Sequence, residues 1–240
     1  MHFVGYIGYL RYIDPLYIMM ILPVIILSFI VQSAVKSSFK KFSQVKINSG
    51  YTGADAAKII LTKAGINDVR IEQTGGMLTD HYSPAQKVMR LSQGVYGTPS
   101  ISAVGVAAHE AGHAIQHYKG MLIMKMWMAL ARPASFLSNA AIFLIIIGSV
   151  LNFLQLARIG FFFFLGVVLF QIITLPLEFN ASNRAKKLLA EYGIVSREEL
   201  KGVSSVLNSA AMTYVAAAAA AVVQLLYFAI RLGLLGGRRR

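Results

Sequence analysis

The run Ala107-Ala108-His109-Glu110-Ala111-Gly112-His113-Ala114-Ile115-Gln116-His117 holds two histidines four residues apart, with a glutamate directly after the first. On a helix that spacing places both imidazoles on one face, roughly 6 Å apart along the axis, where they can close on one small cation. Glu110 then projects beside the cation without being forced onto it. A carboxylate so placed can take a proton from a metal-bound water, which is the chemistry of the H-E-x-x-H pattern. Upstream, residues 100–108 are small and apolar, and Thr98 or Ser100 can cap a helix start. Two histidines and a glutamate on a buried apolar helix are costly unless something satisfies them, and a metal does so. A surface helix with incidental histidines is the plain alternative, and the apolar flanks argue against it.

A catalytic zinc takes three protein ligands and keeps one position open. The chain has no cysteine, so the third ligand is His, Asp or Glu. His117 lies a further turn on, roughly 9 Å along the axis from a cation held by His109 and His113. The longer H-E-x-x-H-x-x-G-x-x-H pattern fails, with Gln116 in the glycine position and Lys119 in the last. No His follows His117 and no Asp follows Asp80, which leaves Glu178, Glu191, Glu198 and Glu199 downstream. The last three stand in charged sequence that reads as solvated helix surface. Glu178 stands in Leu175-Pro176-Leu177-Glu178-Phe179-Asn180-Ala181-Ser182, where an apolar run meets polar sequence, and is the expected third ligand.

The elements that must position these residues are mostly apolar. Of 240 residues, 56% are hydrophobic, and mean hydropathy is +0.61, which points to several membrane spans rather than a soluble domain. Uncharged runs at about 15–35, 133–154, 160–177 and 210–230 predict four spans. The first is too long for a signal h-region and lacks a persuasive cleavage site, so no cleaved signal peptide is expected. Of the 23 Lys and Arg, 17 fall within residues 36–132 and 178–209, which four spans place on one side. The excess marks that side as cytoplasmic, and the net charge of +13 then fits contact with anionic lipid rather than nucleic acid. Arg238, Arg239 and Arg240 disagree, and the side of the C-terminus stays open.

The expected fold is an α-helical integral membrane protein of about four spans with a small α+β cytoplasmic zincin-like domain. Its parts are an N-terminal span (1–35), the zincin-like domain with the H-E-x-x-H helix (36–132), a membrane hairpin (133–177), cytoplasmic helices with the third ligand (178–209), and a C-terminal membrane helix with a basic tail (210–240). Within the second part, Thr52 to Ala64 predicts an amphipathic helix with a Thr52/Asp55 capping box and Gly65 past its end. Strands are expected at 68–73 and 87–92, with 75–84 as a loop between them. Such strands ahead of the metal helix could hold an extended peptide along an exposed edge. A second capping box, Ser196 with Glu199, opens a helix near Arg197.

Three stretches together carry a family resemblance: Thr79-Asp80-His81-Tyr82, His109 to His117, and Glu178-Phe179-Asn180-Ala181-Ser182. They resemble the YugP-type bacterial membrane zinc metallopeptidases, over most of the chain, and more distantly the HtpX-type proteases, in which a downstream glutamate completes the zinc site. The resemblance implies His109, His113 and Glu178 as zinc ligands, Glu110 as general base and a gluzincin-like peptidase. The HtpX-type pattern has Asp four residues after the glutamate, where this chain has Ser182, so the contact that orients the first histidine is altered.

The expected function is that of a multi-pass metalloendopeptidase of the bacterial plasma membrane, with its site facing the cytoplasm. Zn2+ is its cofactor, and peptides or proteins, membrane proteins among them, are its substrates. His81 or Tyr82 is a candidate oxyanion donor, and Ser182 a candidate support for the metal site. Arg184 is read as lying in the lipid headgroups, with pairing to Glu178 as the alternative, and Tyr214 is given no role. A non-catalytic zinc scaffold of a membrane complex would use the same ligands. An intramembrane protease of the site-2 type lacks its downstream Asp here. A lipid- or nucleic-acid-binding module finds no phosphate-cradling loop and no base-stacking series, so no nucleic acid is expected. Oligomeric state is not legible.

Overall fold

The computed structural model describes residues 14–235. Four long helices frame the chain: α1 (Pro15–Ser43), α5 (Leu122–Val150), α6 (Leu154–Glu191) and α7 (Arg197–Arg231). Each is long and apolar enough to cross a membrane. They contain three of the four expected spans and run past them, while the second, expected at 133–154, starts earlier and ends at Val150. Residues 155–159, expected as a link, are the first turns of α6. The Arg238–Arg240 tail and residues 1–13 lie outside the described residues.

Between α1 and α5 come α2 (Gly53–Lys63), β1 (Arg70–Thr74), β2 (His81–Ser83), β3 (Val88–Ser92), the one-turn α3 (Gln93–Tyr96) and α4 (Ile101–Tyr118). The Thr52/Asp55 capping box is present at the start of α2, and Gly65 adopts φ +74° just past its end. The Ser196/Glu199 box opens α7. Glu199 is not solvated surface, however. It is buried, and its second oxygen accepts from Asn48 N at 2.6 Å.

The sheet has the order β1-β3-β2, with β1 parallel and β2 antiparallel to β3. β2 is a correction, because 75–84 was expected to be loop throughout. Three residues with one apolar member give no legible alternation. Pairing supplies what the pattern lacks: Tyr82 faces Met89 in register, and Asp80 extends the pairing by accepting from Ser92 N at 2.7 Å and Ser92 Oγ at 3.0 Å.

The chain divides into two units, one of residues 1–30, 130–172 and 215–240, the other of 31–129 and 173–214. In the first, Ala141, Phe164, Val168 and Ala221 form a buried cluster. The second holds the sheet, α2, α4 and the polar-side ends of the long helices. Its core runs through Ile60, Met89, Leu91, Val104, Leu177, Leu189 and Val203. On α6 the buried residues Leu177, Ala181, Ala185 and Leu189 recur every four positions. That stripe keeps the helix continuous past Pro176, whose missing N–H and ring would otherwise break it.

Candidate metal centre

Ser100 caps α4, its Oγ accepting from Ala103 N at 3.3 Å. The helix is buried on nearly every face, so its apolar positions are core and His109, Glu110 and His113 are its exceptional residues. The third component comes from α6. A Cβ built on Gly112 would stand 2.9 Å from the Ala181 carbonyl oxygen and 3.2 Å from its Cα. Only glycine at 112 and a small residue at 181 allow α4 and α6 to approach this closely. Glu178 lies three residues before Ala181, nearly one turn, and so is brought over the histidine pair.

His109 Nε2 and His113 Nε2 are 3.2 Å apart, and Glu178 Oε2 stands 3.2 Å from the first and 3.5 Å from the second. All three donor atoms lie within 4.8 Å of one another. Two ligands each about 2.1 Å from a tetrahedral zinc are about 3.4 Å apart, so the trio already has the spacing of a zinc site. Its chemistry fits as well: two nitrogens, one carboxylate, no thiolate. Burial pulls the His113 imidazole down. The bond to Glu178 and the charge of Glu110 outweigh that and hold it up, at about 9. A bound cation takes that proton's place.

The outer ring nitrogens are also held. Ser182 Oγ lies 3.1 Å from His109 Nδ1, so the serine makes the contact, though as a neutral group rather than a carboxylate. Gln116 Oε1 lies 2.9 Å from His113 Nδ1. The Gln116 amide nitrogen donates to the Leu177 carbonyl at 2.8 Å and to Asn180 Oδ1 at 3.1 Å. With both its protons so used, Gln116 must face His113 with its oxygen. Nδ1 therefore carries the hydrogen and Nε2 is left for the metal. Gln116 is fully buried and joins the two helices at the site. Gln116→Met, similar in length, is expected to weaken zinc binding by about 10–100-fold, read by competition with a chromophoric chelator.

Tyr82, like His81, lines a cavity beside the cluster. Its hydroxyl is 2.9 Å from His117 Nδ1, and burial, helped by the charge of Asp68, pushes the phenol up to about 12. His81 is exposed, with Nδ1 2.9 Å from the Thr79 carbonyl oxygen. Arg184 donates through Nε to Asn180 Oδ1 at 2.7 Å. Tyr214 is the residue the sequence reading passed over. It lines both cavities that open on the cluster, together with Glu178. One sign was available: it stands four residues into the last apolar run, at the polar end where Glu178 also sits.

A helical chain with four candidate membrane spans and a His–His–Glu donor set shared between an H-E-x-x-H helix and α6 has the makings of a membrane metalloprotein. The chain belongs to the family described as "Putative neutral zinc metallopeptidase", whose family model matches residues 17–233. It is 44% identical over 213 residues to the Bacillus subtilis (strain 168) protein named "Putative membrane protease YugP", covering 89% of this chain and 95% of that one. No solved structure matches it.

Proposed function

We propose that this chain is a membrane-embedded zinc endopeptidase, with His109, His113 and Glu178 as ligands and Glu110 as general base. The observation that carries the reading is the convergence of three ligand atoms from α4 and α6 at zinc spacing, with Glu110 beside them and outside the ligand set. When bound, zinc supplies the Lewis acid that activates water and polarises the substrate carbonyl. Glu110 takes the proton of the attacking water and returns it to the leaving amine. Gln116 and Ser182 keep the imidazoles turned to the metal. The open edge of β2, paired only with β3 among the described residues, offers backbone groups to an extended substrate beside the cluster. The Lys and Arg excess in segments 36–132 and 178–209 supports a cytoplasmic side for this site.

Tyr214 is better placed than Tyr82 to stabilise the oxyanion, since it lines both cavities at the cluster while the Tyr82 hydroxyl is taken up by His117. Tyr214→Phe is expected to lower kcat by about 10²–10³ with zinc content kept and KM little changed, measured on a fluorogenic peptide.

The reading is tested by assaying detergent-purified protein on an unfolded model protein as prepared, after chelation, and after zinc is restored. Cleavage lost on chelation and recovered with one zinc per chain supports it. Stoichiometric zinc without cleavage would instead support a scaffold.

A further inference from the structure

Two cavities meet at the cluster. One, of about 180 Å³, has Met124, Trp127 and Leu177 in its walls. The other, of about 200 Å³, is walled by Val35, Leu78, Val106, Leu207, Ala210 and Ala211. Asp80, His109, Glu110, Glu178 and Tyr214 border both, so the reacting groups stand at the junction. Their charge is as telling as their shape. The chain carries 23 Lys and Arg, yet none among the described residues lines either cavity. The carboxylates present are committed: Glu178 to the histidines and Asp80, through both oxygens, to Ser92. Glu110 is the proposed base. Beyond the exposed His81 in the first wall, nothing in either is left to pair with a charged side chain, and burying one there without a partner is costly.

We propose that the two cavities are subsites flanking the scissile bond, each taking an apolar side chain, so that cleavage falls between two apolar residues of an extended segment. This rests on the peptidase reading. The walls differ: one is closed by the large Trp127 ring, while the other gains its room from the small residues Ala210 and Ala211. Each side chain therefore sets preference on one side of the cut. Ala210→Leu fills its cavity and Trp127→Ala opens the other.

The test pairs a peptide library, cleaved by zinc-loaded wild type and read by mass spectrometry, with binding of the same peptides, uncut, to zinc-loaded Glu110→Gln. Leu, Met or Phe on both sides of the cut is expected to be favoured about tenfold or more over Asp, Lys or Gly, in cleavage and in binding. In the Glu110→Gln background, Ala210→Leu should weaken binding of peptides with large residues about tenfold on one side only. Trp127→Ala should relax preference on the other side only, and it decides the matter alone if Ala210→Leu does not fold. Cuts indifferent to residue type, or favouring charged residues, would overturn the subsites and leave the peptidase standing. No cleavage by zinc-loaded wild type would refute the peptidase, while peptide binding to Glu110→Gln would still decide the subsites.

Discussion

Glu110→Gln is expected to keep zinc and lose cleavage, with kcat lower by about 10²–10⁴. The substitution changes one atom type and no volume at a buried position, so the packing of α4 should survive. The donor cluster is His109, His113 and Glu178, and Glu110 is outside it, so zinc content should be unchanged. What disappears is a group that can accept a proton from water and give it to the departing nitrogen, because a carboxamide does neither near neutral pH. Zinc stoichiometry and peptide turnover on one preparation decide it. Turnover within tenfold of wild type would sink the role of general base.

The parts of this site that sequence could reach are those written in local spacing. His109, Glu110 and His113 stand at helical spacing, the two capping boxes are four-residue patterns, and four apolar runs mark four long helices. Glu178 was reached by elimination, since a chain with few acids and no cysteine leaves few ligands. What escaped depends on contacts between distant segments. Gln116 reads as a filler in the glycine position of a longer motif. Its role exists only because α6 passes close enough for the Leu177 carbonyl and Asn180 to take its two amide protons. That closeness in turn rests on Gly112 against Ala181, and neither residue looks special in its own neighbourhood. Glu199 was misjudged for the same reason: a charged residue on a helix reads as solvated until a packed neighbour, here Asn48, is known. β2 is too short to show a period and is a strand by virtue of its partner.

Replacing Glu178 should have the other large effect, on metal rather than on proton transfer. Its Oε2 is shared between the two histidines, and it brings the only negative charge in the donor set. Glu178→Gln keeps the shape but removes that charge, and Glu178→Ala removes the ligand. Losing a contact behind a ligand costs about 10–100-fold in affinity, so loss of the ligand itself should exceed about 100-fold, with cleavage lost at limiting zinc. The metal-free protein offers a separate reading of the same carboxylate. Burial lowers His113, but Glu178 and Glu110 together hold it at about 9, above its ordinary 6.5. A raised imidazole stabilises the fold fully below its unfolded value and loses that contribution as pH rises through the folded one. The melting temperature of chelated Glu178→Gln should therefore fall furthest below chelated wild type under pH 6.5, and the gap should narrow as pH climbs to about 9. Equal zinc affinity in wild type and Glu178→Ala would remove Glu178 from the ligand set. A melting gap independent of pH would show that Glu178 supports the fold by packing alone, because only its pairing with the charged imidazole titrates over this range.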